Sequence, residues 1–245
     1  MTLRVLCLPF AGGGIASFAP LRAAAPPQLE IAPVRLPGRE ARYAEQPIRT
    51  WEEMDALLTR EVLPSMTEAT VVYGHSMGAL VGYRLCLLAE RHDVRPRLLC
   101  AAAHRCPASP VELRIDGLGD RELLGYAASL TGDADPSPIP DELLPVIVPA
   151  MRADLALCRS FTAHPADRLV TPILAIGGDA DEDVTPAHLD SWRAWTDGPF
   201  ASRAVPGGHF FVRTHPAEVI DLIRAFLSTL ATGKDAGLID RATAG

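Results

Sequence analysis

The chain has 245 residues, of which 48% are hydrophobic and 22% are charged, and its formal net charge is −7. This composition excludes a mostly disordered chain, and the length fits one large α/β domain or two small ones. The acidic balance argues against a general nucleic-acid binder. No run approaches the 18 apolar residues that predict a transmembrane helix.

Short apolar runs alternate with helix-like stretches along most of the chain. The apolar start runs directly into Gly12–Gly14 without a suitable cleavage site, so it predicts a first strand rather than a signal peptide. The alternation predicts an α/β fold with a mainly parallel central sheet and helices on both faces. The expected strands are Leu3–Pro9, Ile31–Leu36, Ala69–Tyr73, Arg97–Ala103, Val170–Ile176 and Phe200–Val205. The expected helices are Thr50–Leu63, Met77–Glu90, Pro186–Trp195 and a last one from His215 to about Leu230.

The stretch from about 111 to 165 interrupts this alternation. It has no strand pattern, but it contains a proline-rich loop and an amphipathic run from Asp141 to Phe161. We expect a helical lid over the carboxyl edge of the sheet, where open α/β sheets bind ligands; a pair of ordinary surface helices is the alternative. The predicted organisation is one domain over residues 1–231 with this lid, followed by a flexible tail at 232–245.

The segment Gly74-His75-Ser76-Met77-Gly78 fits the pattern G-x-S-x-G. A β-branched run leads into it and an apolar helix leads out, which is the strand–turn–helix setting of a nucleophile elbow. The small residues Gly74 and Gly78 permit the tight turn. Ser76 is therefore the candidate nucleophile, and a capping serine at a glycine-lined helix start is the alternative.

A serine hydroxyl needs a base that accepts its proton, and in this fold the base follows the acid along the chain. His209 lies in a glycine-rich loop directly after the last expected strand. His215 is the rival, but it begins a helix and precedes a proline. We therefore predict that His209 is the base.

The acid that orients the histidine is expected in the loop after the fifth strand, which carries four carboxylates. The spacing Gly178-x-x-Asp181-x-x-Val184 favours Asp181, and Asp179 and Asp183 are the alternatives. This acid would hold His209 in the required tautomer and stabilise its imidazolium.

An oxyanion needs two preorganised donors. The backbone N–H of Met77, directly after Ser76, is one candidate. The other is the N–H of Ala11, in the glycine-rich loop after the first strand. A phosphate-binding loop is excluded there because neither GxxxxGK[ST] nor a complete G-x-G-x-x-G is present.

Five cysteines stand at positions 7, 86, 100, 106 and 158, mostly in apolar segments. They form no CxxC pair and no Cys/His cluster with metal-ligand spacing. We expect buried or half-buried free thiols, no metal site and a cytoplasmic protein.

Taken together, several segments resemble the type II thioesterases, the stand-alone editing thioesterases of polyketide and non-ribosomal peptide assembly lines. The resemblance covers most of the chain, from Leu3 to about Leu227. The segments that carry it are Pro9-Phe10-Ala11-Gly12-Gly13, Leu36-Pro37-Gly38-Arg39-Glu40, Gly74-His75-Ser76-Met77-Gly78-Ala79, Met151-Arg152-Ala153-Asp154 and Gly207-Gly208-His209-Phe210.

The resemblance implies hydrolysis of acyl thioesters on the phosphopantetheine arm of an acyl or peptidyl carrier protein, through an acyl-Ser76 intermediate. No metal or redox cofactor is needed for these steps. Apolar lid residues would line an acyl chamber, with packing inside the lid as the alternative. The candidates are Leu143, Leu144, Val146, Ile147, Met151, Leu155 and Phe161.

A carrier protein is the expected partner, and the enzyme is expected to be a monomer that binds neither nucleic acid nor membrane. Carrier domains are usually acidic, so Arg35, Arg39 and Arg42 are candidates for a docking patch, with ordinary solvated surface as the alternative.

Three other functions share the same residues. A general esterase, lipase or peptidase would use the same triad. A product-releasing thioesterase or acyltransferase would deliver its acyl group to water or to another acceptor. A catalytically inactive module would only bind the carrier.

Overall fold

The computed structural model describes residues 2–109, 115, 117–129 and 140–232. Six parallel strands form one sheet in the order β2-β1-β3-β4-β5-β6. The strands are β1 (Leu3–Leu8), β2 (Leu29–Pro33), β3 (Thr70–His75), β4 (Leu98–Ala102), β5 (Ile173–Gly178) and β6 (Phe200–Val205). The predicted α/β fold with a parallel sheet is confirmed.

Eight α-helices accompany the sheet in the described part of the chain. They are α1 (Ala19–Ala24), α2 (Trp51–Leu57), α3 (Met77–Arg91), α4 (Asp120–Ser129), α5 (Leu144–Arg159), α6 (Pro186–Asp190), α7 (Phe211–Thr214) and α8 (Pro216–Thr232). None of the described helices is long and apolar enough to cross a bilayer.

The core has two layers, one on each face of the sheet. Because successive side chains of a strand point to opposite faces, Val5 and Val71 belong to one apolar cluster while Leu6 and Val72 belong to the other. The central strands β3 and β4 are buried along their whole length. This double burial explains why the strands read as continuous apolar runs in the sequence.

The predicted start of α2 is confirmed by a capping box. The Thr50 hydroxyl accepts a hydrogen bond from the Glu53 N–H at 3.2 Å, and the Glu53 carboxylate accepts one from the Thr50 N–H at 3.3 Å. The predicted helix over Thr50–Leu63 is nevertheless divided, because α2 ends at Leu57 and a π-helical turn and a 3-10 turn follow. Pro64 has no N–H to donate to the carbonyl four residues earlier, so a regular α-helix cannot continue through it.

The fifth strand begins three residues later than predicted. The backbone N–H groups of Val170 and Thr171 donate to the carboxylate of Glu90 on α3, at 2.7 to 3.1 Å. These two residues therefore lie outside the ladder, and β5 begins at Ile173.

The region predicted as a lid contains α4 and α5. They share a small apolar cluster whose buried members are Leu123, Val148, Met151 and Leu155. Parts of the predicted lid lie outside the described residues (110–114, 116 and 130–139), as does the predicted tail beyond Thr232. All five cysteines are described; each is a buried free thiol.

Candidate active site

The segment around Ser76 forms a tight turn between β3 and α3. Ser76 has φ +54° and ψ −119°, a conformation that L residues rarely adopt. A Cβ at Gly74 would lie 2.0 Å from the Gly78 carbonyl oxygen, and one at Gly78 would lie 2.0 Å from the Leu8 carbonyl oxygen. Both glycines are therefore required by close backbone approach. Such strain is typical of a functional site and presents the Ser76 side chain at the carboxyl edge of the sheet.

Three side chains from three different loops meet at this edge. The Ser76 Oγ lies 3.1 Å from His209 Nε2, and His209 Nδ1 lies 2.8 Å from Asp181 Oδ2. The Ser76 hydroxyl can donate to Nε2 while the Nδ1–H donates to the carboxylate. This arrangement is one in which the imidazole can take the serine proton and the carboxylate can stabilise the resulting imidazolium.

The Asp181 carboxylate is fixed by its own loop. Its Oδ1 accepts hydrogen bonds from the N–H groups of Asp183 at 3.0 Å and Val184 at 3.2 Å. Burial favours the protonated acid, but the hydrogen bond and charge of His209 and these two N–H groups outweigh it. The pKa of Asp181 therefore lies below its usual range. The carboxylate stays ionised at neutral pH.

Asp179 and His215 have other hydrogen-bond partners, and Asp183 borders the same cavity while Asp181 makes the contact to His209. The Asp179 carboxylate accepts from the Gly207 N–H at 2.9 Å, and the Asp183 carbonyl accepts from Arg105. His215 Nδ1 contacts the Thr214 hydroxyl at 2.9 Å. The structure thus brings Asp181 and His209 together with Ser76.

His75, next to the nucleophile, holds the loop that carries His209. It is fully buried, and its Nε2 lies 2.8 Å from the His209 carbonyl oxygen while its Nδ1 lies 3.2 Å from the Tyr73 hydroxyl. Burial and the neighbouring His209 lower the pKa of His75 to about 3, so the ring is neutral. The only sequence signal for this role was a polar residue inside the elbow.

The loop after β1, residues 9–14, faces Ser76 and is called the oxyanion loop below. Ala11 from this loop and Met77 line the same cavity as Ser76. Met77 is the first residue of α3, where an N–H has no partner inside the helix. Gly12 has φ +75°, and its N–H donates to the Asp154 carboxylate at 2.8 Å. Ala11 and Met77, whose N–H groups are the two predicted oxyanion donors, therefore line one cavity.

The predicted basic docking patch is wrong for Arg39. Its side chain is only 7% exposed and forms a two-pronged ion pair with Asp154, whose side chain is 1% exposed. Arg42 pairs with Glu45 and Glu61. The physical reason is that Asp154, which neutralises Arg39, lies 115 positions away along the chain. The sequence around Arg39 therefore does not show that its side chain is buried.

A cavity of about 140 Å³ opens beside Ser76 and His209. Its wall includes Met151 and Leu155 of α5, two of the predicted chamber residues. The other predicted chamber residues are not among those that line it. Leu144 packs within the lid cluster, Leu143 and Val146 are exposed, Phe161 packs against Trp51, and Ile147 is half-buried. These five residues lie on other faces of the same segment. An apolar side chain in the sequence does not show whether it faces the cavity or another part of the lid.

The model of the family described as "Thioesterase domain" matches residues 3–227. Thioesterase PikA5 of Streptomyces venezuelae is 31% identical over 243 residues, covering 98% of this chain and 86% of PikA5. Gramicidin S biosynthesis protein GrsT of Aneurinibacillus migulanus is 30% identical over 223 residues, covering 90% of this chain and 87% of GrsT.

Solved structures agree with these relatives. The type II thioesterase BorB from the borrelidin biosynthetic cluster superposes with a TM-score of 0.84 at 30% identity, covering 93% of each chain. RedJ thioesterase from the prodiginine pathway of Streptomyces coelicolor gives a TM-score of 0.79 at 31% identity, covering 94% of this chain and 85% of RedJ. The protein belongs to the thioesterase family, with the α/β-hydrolase fold and type II thioesterases among its structural relatives, and is a hydrolase of thioesters.

Proposed function

We propose that this enzyme removes stalled or aberrant acyl groups from the phosphopantetheine arm of acyl or peptidyl carrier proteins. The observation that carries the proposal is the hydrogen-bonded chain from Ser76 through His209 to Asp181 at the mouth of an apolar cavity. The relatives support the class of substrate, since their names place them in gramicidin S and borrelidin biosynthesis.

The first half of the reaction forms an acyl-enzyme. The Ser76 oxygen attacks the thioester carbonyl carbon while His209 Nε2 takes the hydroxyl proton. The N–H groups of Ala11 and Met77 stabilise the negative charge that develops on the carbonyl oxygen. The C–S bond then breaks, and the imidazolium returns its proton to the sulfur, so the carrier leaves with a free thiol.

The second half releases the acyl group. A water molecule attacks the acyl-Ser76 ester and gives a proton to His209, and a second oxyanion forms in the same place. Its collapse breaks the bond to Ser76, which regains the proton from His209. The products are a carboxylic acid and free enzyme. Asp181 remains ionised throughout, consistent with its lowered pKa.

The proposal extends to the domain organisation, location and oligomeric state of the enzyme. We propose a single domain over residues 1–231 with a lid at about 111–165, acting as a cytoplasmic monomer. The apolar side chains of α4 and α5 at the cavity support an acyl-binding role for the lid. Size-exclusion chromatography with light scattering tests the monomer directly.

The experiment compares a short acyl group on a carrier protein with the same group on a small thiol. Wild type, Ser76→Ala and the control Ser228→Ala, at an exposed position on α8, are measured in single-turnover and steady-state assays. We expect a loss of about a thousandfold or more in Ser76→Ala, no change in the control, and faster release from the carrier by wild type.

Each other outcome favours a different function. Equal rates on the small thiol or on oxygen esters, with no gain from the carrier, would favour a general esterase. An ester or amide product instead of a free acid would favour an acyltransferase. Binding of the carrier without release of the acyl group would favour a catalytically inactive binding module.

A further inference from the structure

The buried ion pair between Arg39 and Asp154 joins two segments that lie far apart in the sequence. We propose that this pair positions the oxyanion loop, so that the Ala11 N–H points at the reacting carbonyl only while α5 is in place. The inference rests on the proposed function, because it assigns Arg39 and Asp154 as positioning residues for that reaction.

Both members of the pair contact the loop backbone. Arg39 Nη1 lies 2.6 Å from Asp154 Oδ2, and Nη2 lies 2.8 Å from Oδ1. The same Nη1 also donates to the Gly13 carbonyl oxygen at 2.9 Å, while Asp154 Oδ2 accepts from the Gly12 N–H at 2.8 Å. The carboxylate therefore holds the peptide group between Ala11 and Gly12, and the guanidinium holds the one between Gly13 and Gly14.

The residue after Arg39 holds the next part of the chain. The Glu40 carboxylate accepts from the N–H groups of Ile15 at 2.9 Å and Ala16 at 3.0 Å. A Cβ at Gly14 would lie 2.4 Å from the Glu40 side chain, so the loop passes directly against this carboxylate. Asp154, Arg39 and Glu40 together therefore hold the backbone between Gly12 and Ala16.

Stability alone does not account for the pair. Removing two charges from water is unfavourable, and apolar side chains of similar volume are often equally or more stable in such places. An apolar pair, however, has no acceptor for the Gly12 N–H and no donor for the Gly13 carbonyl. The contacts to the oxyanion loop therefore need the charged pair, as does the hydrogen bond from Arg39 Nε to the Pro37 carbonyl oxygen at 3.3 Å.

The position of Asp154 connects this loop to the acyl cavity. Asp154 lies on α5, between Met151 and Leu155, which line the cavity. The Met151 side chain also packs against Gly12, where an added Cβ would lie 2.8 Å from its Cε. The helix that lines the cavity therefore also supplies the acceptor for the Gly12 N–H.

The test uses Arg39→Lys, Asp154→Asn and the double variant Arg39→Met/Asp154→Leu, which leaves no buried charge and keeps the site packed. Steady-state kinetics are combined with binding of two inhibitors. One is a trifluoromethyl ketone analogue of the acyl thioester, whose serine adduct carries an oxyanion. The other is an uncleavable acyl-amide analogue, which resembles the ground state.

We expect kcat to fall 10- to 100-fold in each variant while KM changes less than about threefold, because displacing one oxyanion donor weakens transition-state binding selectively. Affinity for the ketone should fall in proportion to kcat, and affinity for the amide should stay within about threefold. Arg39→Lys should remain impaired, since an ammonium cannot form both prongs and the Gly13 contact.

Two controls separate positioning from folding. Asp55→Asn breaks another two-pronged pair, with Arg84, at 2.6 to 3.1 Å between α2 and α3. Ile223→Ala removes buried contacts of α8. It serves as a control for a loss of stability that does not involve the Arg39–Asp154 pair. Both should keep wild-type kcat and ketone affinity at a temperature where they are folded.

The result that overturns the inference is a folded double variant with wild-type kcat and ketone affinity. Lower thermal stability in the variants without a change in kcat would equally reduce the pair to a structural role. Failure of the proposed function looks different, because wild type itself would then show no gain from the carrier over the small thiol, or would release no free acid.

Discussion

The imidazole Nε2 of His75 lies 2.8 Å from the backbone carbonyl oxygen of His209. A carbonyl only accepts, so the proton of the neutral His75 ring is on Nε2, and Nδ1 accepts from the Tyr73 hydroxyl. The end of β3 therefore holds the loop that carries His209. One strand thus positions both the serine and the backbone of the histidine that faces it.

The choice of acid is open to a direct test with asparagine substitutions. Asp181→Asn should lower kcat by about 10³- to 10⁴-fold, because an amide does not maintain the His209 tautomer that accepts the serine proton. Asp179→Asn retains an oxygen for the Gly207 N–H, and the Asp183→Asn carbonyl can still accept from Arg105. Both should stay within a few-fold of wild type in steady-state assays. A large loss in either one, with Asp181→Asn active, would reassign the acid.

The close approach at the elbow predicts an asymmetry between two glycines. Gly78→Ala places a Cβ 2.0 Å from the Leu8 carbonyl oxygen and should cost more than about 3 kcal/mol or prevent folding. Gly125→Ala, in α4, meets no atom within 4 Å and should stabilise by about 0.5 to 1 kcal/mol through helix propensity. Urea unfolding midpoints measure both. Equal effects of the two changes would contradict the backbone contact.

The cavity predicts how acyl length is selected. Ala127→Phe introduces a ring at the cavity wall without removing an existing side-chain contact. It should lower kcat/KM for a hexanoyl substrate about tenfold or more while an acetyl substrate changes little. The matched control is Val146→Phe, at an exposed position of α5. If both acyl lengths lose activity equally, the cavity does not hold the chain.

Two buried histidines predict a loss of stability in mild acid. Burial, with smaller effects of neighbours, lowers the pKa of His75 to about 3 and of His104 to about 4, so both are neutral in the folded protein. The unfolded chain binds these protons near pH 6.5. Their stabilisation is complete above pH 6.5 and declines as the pH falls, by about 1.4 kcal/mol per pH unit for each histidine down to the folded pKa.

Urea unfolding between pH 7.5 and 4.5 measures this dependence. His104→Asn should reduce the slope, since its amide can replace the donor to the Arg105 carbonyl without taking up a proton. His92→Asn, at an exposed position, is the control for loss of an imidazole. An unchanged slope in His104→Asn would show that its protonation does not contribute.

Much of this architecture is predictable because its causes are local. Strands buried on both faces read as apolar runs, and a turn that excludes Cβ atoms needs glycines beside Ser76. The choice of Asp181 over its neighbours was weaker, since it depends on the distance to a loop 28 residues away. The pairing of Arg39 with Asp154 had no local signal, because nothing near an arginine in the sequence shows that it is buried.

Three of the buried cysteines become accessible to thiol reagents only when a particular part of the fold opens. Burial raises the pKa of Cys7, Cys100 and Cys158, and the thiolate is the form that disulfide reagents attack. Cys158 lines the cavity on α5, whereas Cys7 and Cys100 lie inside the sheet. Displacement of one helix exposes the first, but only unfolding of the sheet exposes the others. Pulsed thiol labelling therefore times the opening of the cavity separately from the unfolding of the whole chain.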